Sequence, residues 1–578
     1  MLKNDKIIGN IIFLTIPLIC LFFSISYSIE QNSIDSALYL GNFINIPDEM
    51  SFAHLMKVNQ FSLLIYLQAF LLKLGLSFIG VSQITLFFSI LMNFIGIYLI
   101  IKSIINNVTN QAYVKIISFI FSYIAIFIIG LNLGMVDYAV VIFSEHTFGM
   151  YAASMPTFIF GLLANGNIFF AFFSAFILLC IHGVLGAWMI GILILTSIIY
   201  KFYYNESYFI KDAIIGFLIG LLLFIIFFSL HSYFTGSFKI IELSGFDLKT
   251  LNNWDVHWEA HRYRKEINYL YIFKSILLMI ITILLIRFNK SDLNKNTSFA
   301  MVSIVLTIIL GLTIYTLYKV FLESLPPFIK APMPSRVFNS HSLIAWPIFF
   351  SYSIIIIKKI SYRIKIQFNK LFLIFYVTLS LLIISFNTKN LLNYIFFHYD
   401  KEIGINSVLK NNPFRTNVAT FILNSPFNDI FLKKKYIRGR GNFDFWKKIN
   451  NYDTDSYWIA SSPYHKDLLR YGRKPVLINS NSFDIVYMGG AKSLMIIKDI
   501  IENVYNIPFD KPPLLPLKTY YGRVPGALVK IEFEGKKYQD WLKISNKYNV
   551  NHVIVPSNWN IDLPIDFTNG KLTLYKIQ

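Results

Sequence analysis

The sequence predicts a polytopic α-helical membrane protein of about eleven spans, followed by a C-terminal extracytoplasmic α/β domain. Hydrophobic residues make up 55% of the 578 positions and charged residues only 15%, more apolar surface than a water-soluble chain can bury. Apolar windows near spanning length recur up to about residue 387. Beyond that point charged and turn residues return, together with short β-like runs. These observations separate a membrane part, 1–387, from a second domain, 388–578.

The first apolar window follows Lys3 and Lys6. Its length of about 20 residues is enough to cross a bilayer, so we expect a retained span with a cytoplasmic N-terminus and not a cleaved signal. The two windows between 167 and 200 are short and divide near His182, which predicts a tight hairpin. The predicted spans are 7–27, 83–101, 114–133, 139–163, 167–182, 184–200, 208–234, 266–286, 299–322, 341–358 and 369–387.

Lysine and arginine residues predict the orientation because they concentrate in alternate loops, and basic loops stay in the cytoplasm. This rule places the remaining loops and the C-terminal domain outside: 28–82, 134–138, 235–265, 323–340 and the chain after 387. The segment 61–79 is apolar enough to span, but counting it as a span breaks the alternation. We therefore predict that 61–79 forms a helix along the outer membrane interface, within the first outer loop 28–82.

The last 190 or so residues are enough for one α/β domain. Residues rich in β-branched and aromatic side chains predict strands at 457–461, 475–479, 552–556 and 571–575. Helical patterns lie at 491–505 and 538–548.

The formal net charge of +20 does not indicate nucleic-acid binding, because much of the excess sits in short loops beside apolar spans. Anionic lipid head groups are the expected partners of those charges. Cys20 and Cys180 both lie inside apolar windows and are predicted to be small buried hydrophobes. A composition rich in Ile, Asn and Lys favours a bacterial protein, so we predict the plasma (inner) membrane.

The first outer loop contains the acids Glu30, Asp35, Asp48 and Glu49 in a chain that is otherwise basic. Acidic residues beside a span are costly unless they pair, coordinate or take part in chemistry. We predict Asp35 as the best catalytic candidate. The alternative for each of these residues is a solvated loop acid.

Other polar side chains are predicted at the same face of the membrane. Asp137 is a second catalytic candidate, and the expected substrate-binding residues are Glu145, His146, His182, His257, His261, Lys330 and Arg336. Each has a simpler explanation: a helix-end acid for Asp137, a polar residue in a packing turn for His182, and a head-group anchor for Arg336. His257 and His261 are spaced like a metal pair, but no His-Glu-x-x-His motif accompanies them. The alternative is a structural interfacial loop rich in Trp and Tyr.

An enzyme that uses a lipid-phosphate-linked sugar needs this set of groups. Lys330 and Arg336 suit a phosphate at the head-group plane. Asp35 or Asp137 suits the base that accepts a proton from an acceptor hydroxyl. Carboxylates and phosphate oxygens are also compatible with a divalent cation, Mg²⁺ or Mn²⁺. The sequence has no Gly-rich phosphate loop for a soluble nucleotide donor.

Several segments resemble the GT-C class of integral-membrane glycosyltransferases, in particular bacterial relatives with a C-terminal soluble domain. The likeness lies in Asp35-Ser-Ala-Leu-Tyr-Leu after one span, in the interfacial segment from Phe61, in Leu-Leu-Cys-Ile-His182-Gly-Val-Leu-Gly, and in the terminal pattern from Trp541. The resemblance implies a polyprenyl-phosphate sugar donor, a glycan, lipid or protein acceptor outside, and a catalytic acid at Asp35. The paired Asp/Glu-x-Asp/Glu signature of better known members is absent.

The prediction is thus a lipid-linked-sugar glycosyltransferase, of hexosyl or pentosyl type, in envelope glycan assembly. A non-catalytic membrane scaffold or assembly factor is one alternative. A polysaccharide polymerase or ligase is another, although such chemistry usually recruits arginine-rich outer loops and these loops hold few arginines. A transporter would show inverted repeats and broken helices, and the sequence indicates neither.

Overall fold

A computed structural model of the chain describes residues 2–27, 33–47, 57, 61–107, 110–130, 149–235, 250, 253–254, 257–258, 267–288, 293–325, 337–338, 340–363, 443–452, 455–461, 464–478, 490–511 and 526–577. In the membrane part, the helices are α1 (Leu2–Tyr27), α2 (Ser33–Leu40), α3 (Leu63–Lys73), α4 (Phe78–Ile104), α5 (Gln111–Gly130), α6 (Gly149–Ala164), α7 (Ile168–Ile181), α8 (Gly183–Phe202), α9 (Ile210–Thr235), α10 (Tyr269–Phe288), α11 (Lys295–Val320) and α12 (Ser340–Arg363).

The prediction of a polytopic helical membrane protein is confirmed. Among the described residues, eight helices are long and apolar enough to cross a membrane: α1, α4, α5 and α8 to α12. The predicted windows 139–163 and 167–182 contain the shorter apolar helices α6 and α7, of 16 and 14 described residues. The window 369–387 lies outside the described residues.

Small residues allow the central helices to approach closely. Helix α4 packs along α6, and Gly96 of α4 meets Gly161 of α6 at their crossing. A Cβ atom on Gly96 would lie 2.5 Å from the carbonyl oxygen of Thr157, which is closer than side chains can come. Such crossings let neighbouring helices gain dispersion contacts where lipid offers no hydrophobic driving force.

The predicted hairpin is also present. Helix α7 ends at Ile181 and α8 begins at Gly183. Gly186 lies directly against the backbone of Leu179, so a larger residue there would overlap the preceding helix. The hairpin is continued by α9, which packs along α7.

Helix α3 has 11 residues and ends before Gly75, whose φ of +85° is one that glycine adopts without steric cost. Its length of about 16 Å is roughly half of a bilayer's hydrocarbon core. The segment 61–79 therefore contains a short helix and the start of α4, not a span of its own.

The C-terminal region is built from a four-stranded mixed sheet and helices beside it. Strands β1 (Tyr457–Ala460), β2 (Val550–Pro556), β3 (Ile565–Thr568) and β4 (Leu572–Lys576) follow the order β1-β2-β4-β3. Strand β1 pairs parallel with β2, and the other pairs are antiparallel. The helices are α13 (Phe443–Asn450), α14 (His465–Arg470), α15 (Gly490–Val504), α16 (Gly526–Gly535) and α17 (Tyr538–Tyr548).

Most of the predicted elements in this region are present. Three predicted strand runs match β1, β2 and β4, and both predicted helices match α15 and α17. The run 475–479 gives only a single parallel bridge between Trp458 and Val476 within the described residues. Strand β3 was not predicted; its side chains are mostly exposed, and Ile565 is 63% accessible.

One apolar core joins the C-terminal region to two predicted outer loops. It contains Ile34, Leu38 and Tyr39 of α2, Trp254 and Trp258, and the buried faces of the sheet and its helices. Segments that share a core lie on the same side of the helical bundle. This agrees with the charge-based prediction for 28–82, 235–265 and the C-terminal domain; that their side is extracytoplasmic remains a prediction.

The opposite end of the bundle is consistent with that arrangement. The Lys295 ammonium lies 2.7 Å from a Glu206 carboxylate oxygen, which joins two loops predicted to be cytoplasmic. Lys358 Nζ donates to the carbonyl oxygen of Asn107 at 3.1 Å, joining two more such loops.

Candidate functional site

Asp35, the predicted catalytic acid, lies in the first turn of α2 and is completely buried. Its Oδ1 accepts a hydrogen bond of 2.6 Å from Nε of Arg470, the last residue of α14. The Arg470 side chain is only 5% exposed. The pair thus connects the first loop with the C-terminal domain. In this geometry the carboxylate is an acceptor for a guanidinium inside the protein, not a group facing solvent.

Aromatic side chains lie on both sides of the contact between the first loop and the C-terminal region. Tyr39 lies one turn after Asp35, and burial raises the pKa of its hydroxyl far above the ordinary value. The Arg473 guanidinium lies over the rings of Phe43 at 5.4 Å and Phe78 at 5.1 Å. The turn that follows α14 therefore contacts the first loop and the start of α4.

His182 lies in the turn between α7 and α8 and is 7% exposed. Its Nδ1 is 3.4 Å from the backbone nitrogen of Leu185, so the imidazole caps the first turn of α8. Ser62, just before α3, donates a hydrogen bond of 2.9 Å to the carbonyl oxygen of Ile181. These contacts give His182 a structural role, and its part in substrate binding stays a prediction.

His231 was not predicted as a site residue. It lies one turn before the end of α9, is completely buried, and its Nδ1 is 2.8 Å from the hydroxyl of Tyr66 on α3. The ring of Phe61 packs against the imidazole at 5.3 Å between centroids. An imidazole within an apolar window was the available signal. Helix α3 thus contacts the ends of both α7 and α9.

His257 is half-buried beside Trp258. Burial lowers the pKa of its imidazole, and the Asp510 carboxylate nearby opposes that shift. Asn253 donates to Asp510 at 3.3 Å. The predicted partner of His257, His261, lies outside the described residues.

The remaining predicted residues also lie outside the described residues: Asp137, Glu145, His146, Lys330 and Arg336. Their roles stay predictions. Close to Arg336 in sequence, His341 is described and buried at the start of α12. Its Nδ1 lies 3.0 Å from the Ser275 hydroxyl and its Nε2 lies 3.3 Å from the carbonyl oxygen of Thr307. This imidazole ties α10, α11 and α12 together.

A divalent cation at Asp35 does not fit the geometry. The carboxylate is paired with a guanidinium, and a metal ion would have to displace that positive charge. Within the part of the chain that the structure describes, no group of three or more His, Cys, Asp and Glu residues is arranged to hold a metal. We therefore assign no chemical step to a metal.

The fold and these contacts define a class: a polytopic α-helical membrane protein whose C-terminal α/β domain is packed on its first loop. No protein-family model matches the chain, and no curated protein matches it. Among solved structures, it is similar to the oligosaccharyltransferase of Archaeoglobus fulgidus in the apo form, with a TM-score of 0.40, 10% identity and coverage of 94% of this chain and 69% of that chain.

The same archaeal protein in complex with zinc and sulfate matches with a TM-score of 0.39 and 10% identity, over 94% of this chain and 68% of that one. The likeness concerns overall architecture only, and no residue role is transferred from it.

Proposed function

We propose that the protein is a membrane glycosyltransferase. It transfers a hexosyl or pentosyl group from a polyprenyl-phosphate-linked donor to a glycan, lipid or protein acceptor outside the cytoplasmic membrane, in envelope glycan assembly. The observation that carries the proposal is the interface between the membrane part and the C-terminal domain. A short apolar helix, α3, lies between the membrane bundle and a polar domain packed on the same loop. A donor with a lipid tail and a water-soluble acceptor could both reach such an interface.

Helix α3 has the two faces that this role requires. Ile65 and Gln68 point into the protein and are at most 1% exposed. Leu67, Phe70 and Leu74 form an outward stripe and are 38%, 56% and 60% exposed. A helix too short to span, with an open apolar stripe, suits the plane of the membrane interface. A polyprenyl chain beside this stripe would hold its phosphate near the first loop.

In the proposed reaction an acceptor hydroxyl attacks the anomeric carbon, the bond from that carbon to the phosphate oxygen breaks, and polyprenyl phosphate leaves. A carboxylate takes the hydroxyl proton. Asp35 would first have to leave Arg470, so Asp137 is the preferred base and Asp35 the second choice. Lys330 and Arg336 would balance the phosphate charge. Glu145, His146, His182, His257 and His261 are the proposed substrate contacts.

One observation favours a different function, a non-catalytic scaffold or assembly factor. The acid that the resemblance points to is paired inside the protein, as a structural residue would be. The experiment must therefore separate catalysis from scaffolding.

The test uses the full-length protein in lipid nanodiscs, a polyprenyl-phosphate sugar with a radiolabel, and an envelope fraction as acceptor. We expect Asp137→Asn to lower transfer by roughly 100-fold or more, because a lost general base typically costs that factor. Asp212→Asn is the matched control, since Asp212 is an exposed acid at the start of α9, at the opposite end of the bundle. Transfer by Asp137→Asn at the wild-type rate would overturn the assignment of the base. A wild-type protein that never transfers the label would overturn the glycosyltransferase and favour the scaffold.

A further inference from the structure

We infer that the ion pair between Asp35 and Arg470 fixes the position of the C-terminal domain on the membrane part, as a buried docking contact. The two residues are 435 positions apart in the chain, and their side chains are 0% and 5% exposed. The inference concerns how the chain is assembled and does not depend on the proposed glycosyl transfer.

The surroundings of the pair explain why it can set the docking geometry. On α2, Ile34, Ala37 and Leu38 are all 0% exposed, and Leu468 and Leu469 of α14 are equally buried. Apolar side chains tolerate small shifts between two surfaces. A buried charge does not, because a displaced arrangement breaks the contact between the two opposite charges while both side chains stay buried. The ion pair therefore selects one register among those that the apolar contacts allow.

A second arginine supports the same interface. Arg473 has a φ of +54°, a left-handed conformation that costs energy in a residue other than glycine. Its guanidinium lies over the rings of Phe43 and Phe78, which belong to the first loop and the start of α4. The Tyr471 ring also packs edge-on against Phe78, at 5.8 Å. The strained turn after α14 is thus held in the conformation that reaches the membrane part.

The same burial argues against a lid that opens. If the C-terminal domain moved off α2, the side chains of Ile34, Leu38 and Tyr39, now at most 1% exposed, would lose much of their apolar cover. Arg470 and Asp35 would be separated at the same time. The domain therefore stays docked on α2.

The test is a double-mutant comparison in full-length protein in lipid nanodiscs, read by hydrogen–deuterium exchange and by Tm. We expect Asp35→Asn and Arg470→Gln each to lower Tm and to speed exchange at least roughly tenfold, in α2 and α14 together. The double variant Asp35→Leu with Arg470→Met replaces both charges by apolar groups and should recover most of the lost Tm. Exchange in α2 and α14 should stay faster than in wild type, because apolar contacts alone do not select one register. Glu206→Gln is the control, since its pair with Lys295 is exposed, at 30% and 67%.

The outcomes are decisive in both directions. Recovery of Tm without recovery of exchange protection in the double variant supports the docking contact, even if a single variant does not fold. A double variant that regains the exchange protection of the wild type in α2 and α14 overturns it. Single variants that behave like Glu206→Gln, or that affect only one of the two helices, overturn it as well.

Discussion

Trp258 and Phe509 form a second link between the membrane part and the C-terminal domain. The indole Nε1 of Trp258 donates a hydrogen bond of 2.9 Å to the carbonyl oxygen of Phe509, 251 residues later. The Phe509 ring lies nearly parallel to the rings of Trp254 and Trp258, each at 5.8 Å between centroids. Both indoles are at most 1% exposed. The predicted outer loop 235–265 therefore contributes two anchors to the C-terminal core.

Substitutions of Trp258 should separate the contribution of its hydrogen bond from that of its apolar contact with Phe509. Trp258→Phe keeps most of the apolar contact but removes the donor, and we expect a loss of about 1–3 kcal/mol because a buried carbonyl oxygen is left without it. Trp258→Ala should cost about 3–5 kcal/mol, because it also opens a cavity. Denaturant or thermal unfolding in detergent measures both. Met495→Ala, at a side chain that is 72% exposed, should change little; equal losses in all three variants would contradict the role of Trp258.

The glycine crossing in the membrane bundle gives a matched pair of variants. Gly96→Ala would place a Cβ against the backbone of Thr157, so α4 and α6 must separate and we expect a Tm lower by several degrees. Gly191→Ala is the control, because a Cβ at that helical position meets nothing within 4 Å. Its Tm should be unchanged or slightly higher, since alanine favours helix. A Gly96→Ala protein as stable as Gly191→Ala would show that the crossing tolerates a larger separation.

His257 should make the loop contact sensitive to mild acid. Its folded pKa lies below the ordinary value, so the unfolded chain binds the proton first as the pH falls. The stabilisation is present above about pH 6.5 and is lost as the pH falls through that unfolded value toward the folded pKa. We expect Tm to fall less between about pH 7.5 and about pH 5.5 in His257→Gln than in wild type. Parallel curves for the two proteins would exclude a contribution from His257.

The C-terminal domain should be poorly stable when expressed alone as residues 388–578. Its core includes α2 and the two tryptophans of the loop 235–265, so the isolated domain would expose the apolar residues that they cover, along with Arg470. We expect it to bind a hydrophobic dye and to aggregate. A monomeric isolated domain that unfolds cooperatively at the temperature of the full-length protein would contradict a shared core.

Sequence patterns predicted the membrane part well because hydropathy and loop charge are local signals. The windows 83–101 and 208–234 correspond to α4 and α9, and the break in the hairpin falls at His182. The segment 61–79 contains a helix too short to span, as the charge alternation required. Strand β3 was missed because it is only four residues long, although its sequence Ile-Asp-Phe-Thr alternates apolar and polar side chains.

The candidate site shows what local signals leave open. The sequence identified Asp35 as an unusual acid beside a span. Its partner is Arg470, more than four hundred residues away, and no local sequence pattern predicts that these two residues pair. His231 was not predicted as a site residue because no residue close to it in the sequence is a partner for its imidazole. Tyr66 becomes its neighbour only when α3 packs on α9.

The sequence by itself determined that this is a multi-span membrane protein with a C-terminal α/β domain, because transfer of apolar helices into lipid depends on composition within about 20 residues. Only the tertiary structure decided that the domain and the first loop share one core, and that Asp35 forms a buried ion pair with Arg470 there. Long-range contacts of this kind depend on which surfaces pack together after the helices have formed, and the composition of a local segment does not predict that packing.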